Sequence, residues 1–437
     1  YKSNYKSEDI KTNYDWSEWG NFSDAIEMCN NNGACRKLDS GVMCPSYRVT
    51  KEEKDLVRGR ANTLRLALSN QLPRDSFVSK EMYETMELCV SCKACQRECP
   101  MSVDMAKMKS EFLFHYYKKF SMSIKDRVIS NMPKLIWLLK IVSPIFNKIK
   151  NIPLISDVIR KFGYATEREM PTVQNQFPLK EIYKSQIKSE NKVILFADTF
   201  NINFEIQNLM YSIKVLNKFG FEVIIPSFDN DKLKRPLCCG RTYISYGQLD
   251  KAEKELNRFV NYILVNGYYE MPIVGIEPSC LLTFSDEFKT LKNIKNRDKL
   301  KNKFYLLEEF VLEQINQGNN VSLNKFDQDV LIHGHCHQKS QDRIKGLTGL
   351  LSKLNINNKM IDSSCCGMAG SFGYNSKNYD VSKKMANLSL IPAVNESTDK
   401  DFIVANGTSC RHQISDLSEK KAKHISELLF KIFETVN

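Results

Sequence analysis

Two rhythms of apolar and polar positions divide the chain. From about residue 20 to 165, apolar residues either recur at helical spacing or fall singly among polar loops. The stretch 103–120 carries a helical pattern, and Thr50 followed by Glu53 reads as a capping box opening a helix that runs to about Leu72. From residue 192 short apolar runs take over, at 193–197, 221–225, 272–276, 330–333 and 402–405, alternating with amphipathic stretches. That alternation predicts strands and helices in an α/β layout. Between them, residues 166–190 are polar, contain Pro171 and Pro178, and read as a linker.

The α/β half repeats itself. Leu237-Cys238-Cys239-Gly240 overlays Ser364-Cys365-Cys366-Gly367, Pro278-Ser279-Cys280 overlays Thr408-Ser409-Cys410, and the apolar run at 193 overlays that at 330. Under this alignment Cys336 of the second copy faces Thr199 of the first, so the copies are unequal as ligand sets. The expected architecture is an α+β multidomain chain. It has a tail (1–20), an α-helical ferredoxin-like two-cluster domain (21–165), the linker (166–190), and a duplicated α/β cysteine-rich domain (191–325 and 326–437).

With 437 residues, 42% of them hydrophobic, the chain can bury a full core and by length splits into two or three domains. Its net charge of +12 comes from scattered lysines, with no basic stripe and no nucleic-acid module, so nucleic acid is not an expected partner. A weak attraction to anionic membrane surfaces stays open. The longest apolar stretch, 135–146, is interrupted by Lys140 and Pro144 and reads as a buried or interfacial helix, not a span. No secretory signal is visible, so the expected location is the cytoplasm, with the inner membrane face as a peripheral alternative. In that reducing setting the 14 cysteines read as metal ligands in preference to disulfides. The first residue is Tyr1 and not Met, which suggests part of a longer polypeptide.

The strongest chemical signal is Cys89-Val90-Ser91-Cys92-Lys93-Ala94-Cys95-Gln96-Arg97-Glu98-Cys99-Pro100. This C-x2-C-x2-C-x3-C-P spacing lets one loop offer three thiolates to a cuboidal iron–sulfur cluster while the fourth, turned away by the proline, serves a second cluster. Zinc sites usually pair two C-x2-C units farther apart. The second group is Cys29, Cys35 and Cys44, with Asn32 where a middle cysteine would stand. The exchange logic assigns Cys89, Cys92, Cys95 and Cys44 to one cluster, and Cys29, Cys35 and Cys99 to the other. Three cysteines suit a [3Fe–4S] cluster, or a [4Fe–4S] cluster whose last iron takes Asn32 or water. Such clusters move electrons and need no general acid or base, so no catalytic residue is assigned.

In the second α/β copy Cys336, Cys365, Cys366 and Cys410 form a four-thiolate set able to hold [4Fe–4S] or zinc. Gly367 can take positive φ and so aim the adjacent sulfurs at one centre. In the first copy Cys238, Cys239 and Cys280 remain, with Asp198 or Glu277 as oxygen candidates; that site is open between incomplete, zinc-binding and merely packed. His333, His335 and His337 stand beside Cys336, either as ligands or as hydrogen-bonding partners.

Several of these stretches resemble a known family: 31–36 (NNGACR), 41–47 (GVMCPSY), 58–62 (RGRAN), the Cys89–Pro100 run and 103–106 (VDMA). They resemble the iron–sulfur part of the FAD-linked oxidases, the D-lactate, glycolate and D-2-hydroxyglutarate dehydrogenase relatives. Cys238-Cys239-Gly240, Gly334-His335-Cys336-His337 and Cys365-Cys366-Gly367 resemble the CCG domains of that family and of the cysteine-rich subunit of heterodisulfide reductase. The resemblance implies electron transfer from FAD, held on a flavin domain or partner subunit, through [4Fe–4S]-type clusters to a quinone, cytochrome or another carrier. It also suggests that residues 1–20 end a preceding flavin domain, with no FAD-binding residue in this chain. Alternatives are a heterodisulfide-reductase-like enzyme, the electron-transfer subunit of an anaerobic glycerol-3-phosphate dehydrogenase, and a zinc-stabilised scaffold without redox function.

Overall fold

The computed structural model describes residues 5–39, 41–150, 152–174, 186–226, 235–319 and 321–433. Its first part is helical. Asn21, Ser79 and Asp104 each accept a hydrogen bond from a backbone N–H three residues on, at 3.0–3.1 Å, and so start helices Phe22–Glu27, Lys80–Glu87 and Met105–Lys119. Met108, Phe112 and Tyr116 line the buried face of the last of these.

The expected capping box at Thr50 does not form. Pro45 opens an earlier helix, Pro45–Thr50, which stops where Lys51 adopts φ 61°. The Thr50 hydroxyl donates back to the Ser46 carbonyl at 3.2 Å. The next helix runs Val57–Leu68 after a turn at Glu53–Asp55.

The amino-terminal stretch is no loose tail from Asn13 onward. The backbone N–H groups of Asn13 and Tyr14 donate to the buried Glu111 carboxylate at 3.0–3.1 Å, and Tyr14 and Trp16 are core residues.

Helices Ile124–Ser130, Met132–Ile149 and Pro153–Lys161 follow. Among the described residues no helix is long and apolar enough to cross a membrane. The described start of the expected linker is strapped down: Arg168, 3% exposed, donates to the Gly373 carbonyl at 2.7 Å and pairs with Asp416 at 2.8 Å. Residues 175–185, including Pro178, lie outside the described residues.

Two parallel sheets carry the rest. The first contains β1 (Lys192–Phe196), β2 (Glu222–Ile224), β3 (Ile273–Gly275) and β4 (Phe304–Leu306) in the order β2-β1-β3-β4. The second contains β5 (Val330–Ile332), β6 (Asn358–Met360) and β7 (Phe402–Val404) in the order β6-β5-β7. All five expected strands are present. β4 and β6 are additional: each is three residues long, and β6 is an edge strand whose residues, Asn358, Lys359 and Met360, are largely exposed.

β1 is apolar after its first residue because both faces are covered. Ile194 and Phe196 join the core of the helical part, whereas Val193 and Leu195 join a core shared with Val330 and Ile332 of the second sheet. Helices Ile206–Lys218 and Ile425–Phe433 pack together in that shared layer, as do Leu307–Asn316 and Ile344–Lys353. Gly247 shows how tightly the first sheet's unit seats on the helical part: at φ +65°, a Cβ there would lie 2.5 Å from Leu113 Cβ.

Candidate metal centres

Cys44, Cys89, Cys92 and Cys95 line one small cavity. The loop folds around it because Ser91 and Lys93 take φ of 51° and 61° before helix Ala94–Glu98 begins. Cys44 is brought in as the residue preceding helix Pro45–Thr50. Burial, and then neighbouring thiols or carboxylates, raise Cys92 and Cys95 well above the usual thiol range. Thiols so placed ionise when a cationic centre sits among them, which is the chemistry of a metal ligand set. The fully buried Arg60 reaches toward Cys44 Sγ at 3.7 Å and donates to Ser46 Oγ at 3.2 Å and the Thr85 carbonyl at 3.0 Å.

Cys29, Cys35 and Cys99 gather beside that cavity. Burial raises Cys29, with Cys99 adding to it, and Cys35 is pushed up to about 11 by burial followed by Cys44 and Cys29. Arg58 opposes both shifts. Asn32 is exposed; its Oδ1 accepts from the Ala34 N–H at 2.9 Å and its amide donates to Asn30 at 2.5 Å, so the side chain shapes the loop.

The second α/β unit brings Cys336, Cys365, Cys366 and Cys410 together at the carboxyl ends of β5, β6 and β7, where parallel strands deliver their loops to one edge. All four are buried. Gly367 has φ +82°, and a Cβ there would meet the Ser382 carbonyl at 2.3 Å. Ligand atoms of His333, Cys366 and Cys410 lie within 4.8 Å of one another.

His333 Nδ1 meets Ser363 Oγ at 2.8 Å, while its buried Nε2 has no hydrogen-bond partner among the described residues. Hydrogen bonds from Cys365 and then Cys410 hold Cys366 well below the usual thiol range. His335 and His337 make other contacts, although His337 Nδ1 is likewise buried without a hydrogen-bond partner among the described residues. His335 Nδ1 accepts from the His337 N–H at 3.2 Å, and His337 Nε2 donates to the Ser91 carbonyl at 3.1 Å. Burial pulls all three imidazoles below their ordinary values.

In the first unit the thiols of Cys238, Cys239 and Cys280 touch in series, Cys239 bonding to both others. The Gly240 N–H donates to Cys238 Sγ at 3.4 Å, as Gly367 N–H does to Cys365 Sγ at 3.4 Å. The oxygen candidates are already engaged. Asp198 caps helix Thr199–Phe204 and is raised to about 7 by burial and then Glu277. Glu277 accepts from Ser279 Oγ at 2.7 Å and from the Thr408 N–H at 2.8 Å. Thr199 is the first residue of the helix that follows β1, and Cys336 is the first residue of the helix that follows β5.

These groups adjoin. Cys92 and Cys336 are near enough for the charge on Cys336 to raise Cys92. Ser364 Oγ donates to the Val42 carbonyl at 2.8 Å, beside Cys44. Lys93, within the cysteine loop and 1% exposed, pairs with Asp286 and with Glu287 at 2.5 Å, and Glu287 pairs with Arg241, next to Cys239-Gly240, at 2.7 Å.

Sequence reasoning singled out none of Lys93, Arg60, Arg241 and Ser364. Each lies within two residues of a cysteine in sequence or beside one in space; only that proximity hinted at a role.

Known proteins give this geometry a context. Residues 25–103 match the family model of the 4Fe-4S dicluster domain, and residues 330–415 match the cysteine-rich CCG domain. The chain is 22% identical to a D-2-hydroxyglutarate dehydrogenase of Pseudomonas putida, over 96% of its own length and 44% of the relative's. It is likewise 22% identical to the Escherichia coli (strain K12) protein of that name, over 93% of this chain and 43% of that one. These matches make the chain similar to the iron–sulfur part of the FAD-linked oxidase family. One subunit of the anaerobic glycerol-3-phosphate dehydrogenase of Escherichia coli (strain K12) is 25% identical over 57% of this chain and 61% of its own length. The chain spans less than half the length of the D-2-hydroxyglutarate dehydrogenase relatives it matches.

Proposed function

We propose that this chain is the electron-transfer part of a flavin-dependent D-2-hydroxy acid dehydrogenase, with D-lactate, glycolate or D-2-hydroxyglutarate as the substrate class. FAD would sit on a flavin domain or partner subunit, and electrons would leave to a quinone, a cytochrome or another carrier. The observation that carries this reading is the adjacency of three thiol groups: Cys29, Cys35 and Cys99 beside Cys44, and Cys92 beside Cys336. Thiolate-bound iron exchanges single electrons with little rearrangement. Around it, Arg60 offsets thiolate charge at Cys44, and the N–H groups of Gly367 and Gly240 aim at cysteine sulfurs.

The ligand sets follow. Cys44, Cys89, Cys92 and Cys95 suit one [4Fe–4S] cluster. Cys29, Cys35 and Cys99 suit a [3Fe–4S] cluster or a [4Fe–4S] cluster completed by water, the Asn32 amide being engaged in its own loop. Cys336, Cys365, Cys366 and Cys410 suit a third cluster. Cys238, Cys239 and Cys280 are offered to zinc, or to no metal. The like order of β2-β1-β3 and β6-β5-β7, with paired Cys-Cys-Gly loops, supports a duplication within 191–437.

Iron and sulfide analysis of chain purified without oxygen, with EPR after dithionite, tests the reading. About 11 to 12 iron atoms per chain and at least two reducible signals are expected. Zinc alone, with no acid-labile sulfide, overturns it.

A further inference from the structure

A large cavity of about 470 Å³ opens against the C-terminal thiols. Cys336, Cys365, Cys366 and Cys410 line it together with Arg241, Glu277, His335 and His337, and so do Tyr246, hydrogen-bonded to Ser371 at 2.7 Å, and Tyr374, hydrogen-bonded to His412 Nδ1 at 3.1 Å. Its outer wall is almost wholly apolar and is built by Met132, Ile136, Val142, Phe146, Ile159 and Phe162. Val142 and Phe162 are also 48% and 56% exposed, so they form the mouth.

The outside of the same helices is apolar too. Ile124, Ile141, Ile145 and Leu154 are 71%, 69%, 65% and 73% exposed, far from the pattern of an ordinary solvated helix face. Segment 124–161 holds Lys125, Arg127, Lys134, Lys140, Lys148, Lys150, Arg160 and Lys161 against only Asp126 and Asp157, eight basic residues minus two acidic ones, a net +6. Of these, Arg127, Lys134, Lys148, Arg160 and Lys161 are exposed, and an apolar face flanked by cations is the physical description of a helix that lies in the headgroup layer of an anionic bilayer.

We propose that segment 124–161 docks on an anionic lipid surface and that the cavity it walls is the site at which a bilayer-soluble quinone meets the Cys336/Cys365/Cys366/Cys410 centre. The inference rests on the electron-transfer reading above and names its acceptor class. The exposed face and the cavity wall are continuous, so a ring with an isoprenoid tail passes from lipid to thiols without crossing water. The Tyr246 and Tyr374 hydroxyls on its lining suit two carbonyl oxygens. Two single electrons, supplied by reduced flavin through thiolate-bound iron, and two protons taken from solvent, equal to the two that the flavin releases on oxidation, turn the two carbonyls into the two hydroxyls of an aromatic quinol.

The test uses the iron-loaded chain. Co-sedimentation with phosphatidylcholine vesicles containing phosphatidylglycerol is expected, weakened at least tenfold by Ile141→Glu/Ile145→Glu/Leu154→Glu and by raised salt. Calorimetry with a one-isoprene ubiquinone should show binding, weakened at least tenfold in Met132→Trp and in Ile136→Phe, both retaining the dithionite-reduced EPR spectrum. Quinone binding that is absent, or unchanged in both cavity variants, while the clusters still reduce, overturns the site and leaves the electron-transfer reading standing. No vesicle binding, with a flavoprotein subunit seated on 124–161 instead, overturns the lipid face. Loss of reducible clusters altogether would instead count against the proposed function.

Discussion

At the scale of single residues, buried charge does most of the positioning. Lys93 is inside a cysteine loop yet answers to two carboxylates from the first α/β unit, Asp286 and Glu287. Removing one partner of such a cluster leaves the others under-compensated, so Lys93→Met should cost about 3 kcal/mol or more, read from urea unfolding. Glu308 offers a pH test. Burial, then Glu309, raises its carboxyl to about 8, while Gln338 and Asn406 donate to Oε1 at 2.7 and 2.9 Å. Between the ordinary glutamate value of about 4.3 and about 8 the folded chain holds a proton the unfolded chain has released, so stability falls as pH rises, at roughly 1.4 kcal/mol per unit. Glu308→Gln keeps the acceptor oxygen and should flatten that slope, being more stable than the parent at pH 8 but not at pH 4; urea midpoints at the two pH values decide it.

At the scale of elements, the carboxyl ends of three parallel strands and one glycine build the C-terminal thiol group. Gly367→Ala places a methyl 2.3 Å from a backbone carbonyl at φ +82°. It should destabilise the chain by about 2 kcal/mol or more and broaden the EPR signal of the C-terminal centre while sparing the others. Much of this was legible in the sequence. Unbroken apolar runs announce strands covered on both faces, and β1, β2, β3, β5 and β7 lie where such runs occur. β6 escaped because an exposed edge strand has no apolar signature. The helix start at Thr50 was misplaced because Pro45, a few residues earlier, starts its own helix, which ends at Lys51. Spacing leads one to expect Cys89, Cys92 and Cys95 on one side of their loop and Cys99 turned away, and the three line a cavity with Cys44 while Cys99 lies near Cys29. The ion network of Lys93, Asp286, Glu287 and Arg241 was not legible, because its members are up to 194 residues apart (Lys93 to Glu287) and nothing local pairs them.

At the scale of the whole molecule, the thiol groups are held in one frame instead of on separate bodies. One core runs from Tyr14 and Phe112 in the helical part to Phe196 in the first sheet. Cys365→Ser should therefore lower the iron content by up to about four atoms and delete one EPR signal, leaving the centre at Cys44, Cys89, Cys92 and Cys95 reducible by dithionite. Loss of every signal would mean that the centres are not separate sites.

The two cysteine loops also lean on one another through main-chain atoms: the His337 imidazole holds the Ser91 carbonyl, and the Ser364 hydroxyl holds the Val42 carbonyl. Each pairing ties the side chain of one loop to the backbone of another, so a change of shape at one thiol group is felt at the carbonyls that frame its neighbour.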